Sequence, residues 1–215
     1  MKSIAGCLLS LLLLAPLQAQ QIEILSVPNY GSAGLVTGRV NGLDPATHRL
    51  AHNIYVEGAG WFTVGGTNIP INNDGSFTIN MGTAGIDEYA SHYAVTAYPL
   101  GASAPQFSSA NTLNLGPNAV ASNYAQRYGT QLDFGGRLWG AKGGPYFAGP
   151  GNNRFADDAN SVWVDQDGLH LTVKNVGGQW RSTEVVLEET LGYGTYMFKT
   201  TSRQDILDAN VTFGA

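Results

Sequence analysis

Cysteine is almost missing from this chain. Cys7 is the single cysteine among 215 residues and lies inside an apolar leader, so a chain that sheds the leader carries no thiol. That excludes disulfide staples and thiolate metal sites, and leaves core burial as the source of stability. Charge is scarce as well. Only 13% of residues are charged, with 11 basic against 16 acidic and a formal net charge of −5. Losing Lys2 with the leader leaves 10 against 16, or −6. A weakly acidic surface of this kind argues against nucleic acid and anionic lipid as partners. Long apolar runs are confined to residues 4–14, broken by Gly6, Cys7 and Ser10, too short for a membrane span. His48 and His52 stand four apart with no third ligand nearby, which speaks against zinc, and no cofactor is expected.

The leader has the parts of a secretory signal. Lys2 gives the positive end, residues 4–14 the apolar stretch, and Pro16-Leu17-Gln18-Ala19 a breaker with a small residue at the expected cut. Residues 1–19 are therefore expected to be removed on export, giving a secreted or periplasmic protein. Ile4-Ala5-Gly6-Cys7 also has the look of a lipidation box, but its apolar stretch follows the cysteine instead of preceding it.

What the chain has in quantity is glycine, 28 residues, and tyrosine, 10 residues. With so little charge, this composition suits turn-rich β-structure and neutral ligands such as sugars. Residues 20–115 read as one unit. Strands are expected at 22–27, 35–40, 52–57, 61–64, 77–80 and 93–98, and Asn72-Asn73-Asp74-Gly75 is a hairpin signal. Six or seven short strands at turn intervals of about 8–12 residues indicate a compact β-sandwich. Residues 116–128 read as a linker, with a short helical turn expected over 120–127.

A second unit is expected over 129–215. Strands are predicted at 132–134, 137–139, 162–165 and 169–173, then at 180–188 and 193–202. Residues 142–154 form a loop rich in Gly, Pro and Asn. The last predicted strand, 210–215, runs to the final residue with no closing turn. Its 87 residues from 129 to 215 fall short of the roughly 200–250 that large sandwiches use. The expectation is that this unit is the front part of a larger domain.

Three segments of the second unit occur in a familiar order. They are Gly151-Asn152-Asn153-Arg154-Phe155, then Asn160-Ser161-Val162-Trp163-Val164-Asp165-Gln166-Asp167-Gly168-Leu169-His170-Leu171, then Leu191-Gly192-Tyr193-Gly194-Thr195-Tyr196. Together they resemble the N-terminal part of glycoside hydrolase family 16 catalytic domains. The resemblance implies an all-β chain: an immunoglobulin-like sandwich, as found ahead of such domains, followed by an incomplete concanavalin A-like jelly roll. It implies a β-glucan-type polysaccharide as partner. The family's chemistry needs a later strand reading Glu-x-Asp-x-Glu, whose two-residue repeat sets three carboxylates on one face. Two of them, about 5–5.5 Å apart, perform retaining hydrolysis. No such strand occurs here. Glu184-Val185-Val186-Leu187-Glu188 comes nearest, with Val186 where an Asp is required, so both glutamates are read as surface or cleft-edge residues. No catalytic residue is assigned, and the chain as it stands is expected not to hydrolyse glycosides. The alternative is a non-catalytic exported protein that binds glycan or a surface partner.

Candidate binding residues follow from the resemblance and from side-chain chemistry. Asn152 and Asn153 match the family loop whose asparagine touches substrate, and equally suit a polar turn after Pro150-Gly151. Arg154 stands where the family has Glu. Trp139 and Trp180 are candidate sugar platforms, because an indole face complements the C–H face of a pyranose; the competing role is a core anchor. Trp163, inside an alternating strand, is read as core. Asp165 and Asp167 are read as a plain turn rather than a calcium loop. Asn210-Val211-Thr212 matches a glycosylation sequon.

Overall fold

The computed structural model describes residues 20–82, 85–149, 151–189 and 191–214. The expected signal at 1–19, with its Cys7, lies outside the described residues, as do Pro150 and Ala215. The chain is all-β, as the sequence indicated, and its first unit is a two-sheet sandwich. One sheet holds β1 (Gln21–Ser26), β2 (Leu35–Asn41) and β5 (Ser76–Asn80) in the order β1-β2-β5. The other holds β3 (His48–Val56), β4 (Gly60–Thr63), β6 (Ala90–Pro99), β7 (Ser108–Ala110) and β8 (Ala121–Gln126) in the order β7-β4-β3-β6-β8.

Alternation in the sequence becomes alternation in burial. In β2, Val36, Gly38 and Val40 face inward while Leu35, Arg39 and Asn41 are exposed. They meet Ile22, Leu50, Ile54, Phe77, Ile79, Tyr93 and Val95 in one apolar core. Gly38 is required there. A Cβ at this position would lie 2.2 Å from both the Phe77 ring and the Glu23 carbonyl oxygen. Central strand β3 is buried on both sides, so its outward side chains need partners too. Asn53 Oδ1 accepts from Thr63 Oγ1 at 2.8 Å, and on neighbouring β6 the Tyr98 Oη donates to Leu115 O at 2.9 Å.

The segment 120–127, expected to be a helical turn, is instead mostly strand β8, paired antiparallel with β6 from His92↔Gln126 to Ala97↔Ala121. Its inward positions are Ala121, Asn123 and Ala125, too small and polar to display a period of two. Asn123 Nδ2 donates to Ile22 O at 2.8 Å and joins the two sheets along that side.

Beyond β8 the chain forms small antiparallel sheets. β9 (Gln131–Phe134), β10 (Arg137–Ala141) and β15 (Val185–Leu187) make one, in the order β15-β10-β9. β11 (Val162–Asp165) pairs with β12 (Gly168–Leu171), and β13 (Lys174–Val176) with β14 (Gln179–Arg181). The single strand expected over 180–188 is broken because its middle bonds elsewhere. Ser182 N donates to Arg154 O at 2.8 Å and Thr183 Oγ1 donates to Thr172 O at 3.1 Å.

No strand forms over the described residues 191–214, where 193–202 and 210–215 were expected to be strands; a short 3-10 turn at Gln204–Ile206 is the one regular element there. Alternating side chains make a strand only when a neighbour supplies the ladder. Among the described residues none does, and Tyr193, Tyr196, Met197 and Phe198 are exposed. No helix among the described residues is long and apolar enough to cross a membrane.

The sandwich core encloses a histidine. His52 is fully buried, its ring 6.2 Å from that of Tyr93 and nearly parallel to it. Nδ1 lies 2.9 Å from Val64 O, and Nε2 has no partner among the described residues. Burial pushes its pKa down to about 4, against the opposing pull of the Val64 carbonyl. The unfolded chain therefore takes up the extra proton first. Stability is complete above about pH 6.5 and falls as pH drops through 4, by about 3 kcal/mol for this group. Urea titrations from pH 7 to 4 should show that decline in the wild type and a flatter profile in His52→Leu. Parallel profiles would remove His52 as the cause.

Candidate functional site

The two units meet around a buried ammonium group. β10 ends at Ala141, and Lys142 continues it through a backbone bond from Lys142 N to Glu184 O of 2.8 Å. The Lys142 side chain is only 8% exposed. Its Nζ lies 3.4 Å from Glu57 Oε2, in the turn after β3, and 3.3 Å from Glu184 Oε2, just before β15. Nζ also donates to Gly149 O at 2.5 Å and sits 4.6 Å from the centre of the Phe155 ring. Burying a lone ammonium costs several kcal/mol, so the two carboxylates and the carbonyl are what make this position tolerable. The lysine thus joins the sandwich, β15 and the 142–154 loop.

Close contacts around it leave little freedom. Gly58, at φ +76°, would place a Cβ 1.8 Å from Phe147 O, so no larger residue fits between the units. Tyr30 Oη donates to Gly143 O at 2.8 Å, and Arg127 donates to Asn29 Oδ1 at 2.7 Å. Tyr55, Trp61, His92 and Tyr128 form an aromatic cluster with His92 in contact with the other three. His92 Nδ1 lies 3.0 Å from Ser91 Oγ and Nε2 lies 3.4 Å from Tyr128 Oη. Burial pushes the His92 pKa down; Glu57 opposes the shift and Lys142 adds to it. Burial, with Glu57 next, pushes the Tyr128 phenol up. These groups serve as packing.

Glu184 and Glu188 flank β15 and are both engaged. Glu184 pairs with Lys142, while Glu188 accepts Gln131 Nε2 at 2.6 Å and Tyr128 N at 3.3 Å. Asn152 and Asn153 are exposed on a turn closed by the Ala148↔Asn153 bridge, with Gly151 at φ +74°. Next to them Arg154 donates to Pro145 O at 2.7 Å and lays its guanidinium 4.3 Å from the Phe147 ring centre. Trp139 is half-buried on β10; its Nε1 donates to Phe134 O at 3.0 Å and its ring meets Phe198 edge-on. Trp180, on β14, is 68% exposed. Trp139 and Trp180 therefore stand on different sheets.

Trp163 is not core. Strand alternation buries Val162 and turns Trp163 the other way, opposite His170 in register. The two rings stack at 4.6 Å with 3° between planes, and Asp165 accepts from both Trp163 Nε1 at 3.2 Å and His170 Nε2 at 2.8 Å. That His170 bond, then the Asp167 N–H, holds the Asp165 carboxyl below the usual range. Asp165 and Asp167 close a tight turn. Among the described residues no group of three His, Cys, Asp or Glu side chains is placed to hold a metal ion.

A groove that no sequence pattern marks lies on the sandwich. It has a volume of about 640 Å³, lies open to solvent, and is lined by Phe62, Asn80, Asp87 and Phe107 among others. Its residues come from four separated segments, and Phe107 precedes a strand too short to show a pattern, so no local signal marked it. Searches of known protein families, of curated proteins and of solved structures found no match for this chain.

The junction makes a quantitative expectation. Lys142→Met should cost about 3 kcal/mol in unfolding free energy, because it leaves two carboxylates without their cation. A double-mutant cycle of Lys142→Met with Glu57→Gln should return a coupling of about 1–3 kcal/mol. Additive effects would show that the pair is not an energetic unit.

Proposed function

We propose that this chain is an exported protein directed at a β-linked polysaccharide, built on the pattern of glycoside hydrolase family 16, and that it binds the polymer without cleaving it. The observation that carries the reading is Trp180, an indole 68% exposed at a hairpin of the second unit. A large apolar ring left in water on a strand suits stacking on the C–H face of a sugar. The low and negative charge suits a neutral polymer. In support, the family-like segment 160–171 is folded as the β11–β12 hairpin, with Asp165, Asp167 and Gly168 in its turn.

Cleavage is set aside on chemical grounds. Retaining hydrolysis needs a nucleophilic carboxylate and an acid about 5–5.5 Å apart, tuned apart in proton affinity. The sequence contains no Glu-x-Asp-x-Glu strand. The two nearest glutamates are committed to Lys142, and to Tyr128 and Gln131.

Co-sedimentation with insoluble β-glucan tests both parts. The wild type should be retained, Trp180→Ala should lose roughly tenfold in apparent affinity, equivalent to about 1.4 kcal/mol, and no new reducing ends should appear. An unretained wild type, or released sugar, would contradict the proposal.

A further inference from the structure

We propose that the groove between β4, the approach to β7 and the end of β5 is a second binding site, which takes a short stretch of an uncharged sugar chain independently of Trp180. The sugar class rests on the polysaccharide reading above; the location does not.

The walls are aromatic and held in place. Phe62 lies on β4 and Phe107 just before β7, both half-buried. Thr63 fixes their spacing. Its N–H donates to Phe107 O at 2.9 Å, and its Oγ1 accepts Phe107 N at 2.8 Å while donating to Asn53 Oδ1 at 2.8 Å. A backbone held this firmly needs little ordering when a ligand arrives, which lowers the entropic cost of binding. Phe62 also packs in part against the sandwich core.

The groove also carries polar groups that no neighbouring side chain occupies among the described residues. Asn80 Oδ1 accepts Gly82 N at 2.9 Å, which pins the side chain and leaves its Nδ2 donor without a partner among the described residues. Asp87 opens the 3-10 turn Asp87–Tyr89 and is half-buried, yet no hydrogen bond or cation reaches its carboxyl among the described residues. Partial burial pushes its pKa up. Such a group is best satisfied by hydroxyl donors brought by a ligand.

Two aromatic residues, one amide donor and one carboxylate along a single groove complement a pyranose, which has apolar C–H faces and hydroxyls around its rim. The volume, about 640 Å³, lies within the roughly 300–1,000 Å³ of ligand sites. Asp87 also sets selectivity. With a net charge of −5 on the chain, it should repel uronic-acid polymers and accept neutral ones.

The test uses the full chain and titrates it calorimetrically with cellohexaose and laminarihexaose, with hexagalacturonate as the acidic control. At least one neutral hexasaccharide should bind, and hexagalacturonate should not. Phe107→Ala should weaken binding about tenfold and Asp87→Asn several-fold. Asp87→Asn removes only a half-buried charge, so it guards against misreading an unfolded Phe107→Ala. Trp180→Ala should bind the hexasaccharide within twofold of wild type. Wild-type affinity in both groove variants, or equal binding of hexagalacturonate, would overturn the site. Hexasaccharide binding lost with the groove variants, in a protein that ignores insoluble glucan, would sink the Trp180 reading and leave the groove standing. Trp180-dependent retention on glucan with no hexasaccharide binding would do the reverse.

Discussion

The ammonium group of Lys142 sits out of water between carboxylates from two distant parts of the chain, Glu57 after β3 and Glu184 before β15. A buried charge has few tolerable positions, because each partner must stay within hydrogen-bond reach or leave a desolvated ion behind. That demand fixes β10 and β15 against the end of the sandwich. Gly58, packed against Phe147 O, removes the room in which the units could slide. The second unit is therefore organised from its junction outward. Ala141, Lys142, Phe155 and Val162 are buried, and exposure rises through β13 and β14 to the open segment at 191–214.

This gradient gives the two units different work. The sandwich holds the larger buried core, with His52 kept neutral inside it, and supplies the frame. The second unit has little core of its own and displays Trp180, Tyr146 and Phe147 to solvent. In the proposed function Trp180 meets the sugar, while the junction anchors the unit that carries it. The proposed groove at Phe62 and Phe107 adds a contact on the frame itself. Two modest sites on one rigid body hold a polymer far better than either alone, provided one chain can span both.

Strands with strong side-chain contrast were legible in the sequence. Ile22, Val36, Val40, Phe77, Ile79, Tyr93 and Val95 alternate with polar residues and are buried as that pattern requires. Strand β8 was not, because alanine and asparagine fill its inward positions. Residues 193–202 failed in the opposite way: the pattern is strand-like but, among the described residues, nothing pairs with it. Trp163 shows a third limit, since alternation says that faces differ without saying which is inward. The junction was invisible for a simpler reason. Glu57, Lys142 and Glu184 are ordinary charged residues in sequence, and only the fold brings them together. Asn152, Asn153, Trp139 and Trp180 were picked out by residue type, and the structure spreads them over a turn and two sheets.

Residue-resolved amide hydrogen exchange on the intact chain addresses the central claim, that order in the second unit radiates from Lys142. The amides of Ala141 and Lys142, bonded to Thr130 O and Glu184 O, should exchange nearly as slowly as those of β3 and β6. Protection should fade along β13 and β14 and be negligible over 191–214. Fast exchange at Ala141 and Lys142, or slow exchange across 193–202, would contradict it.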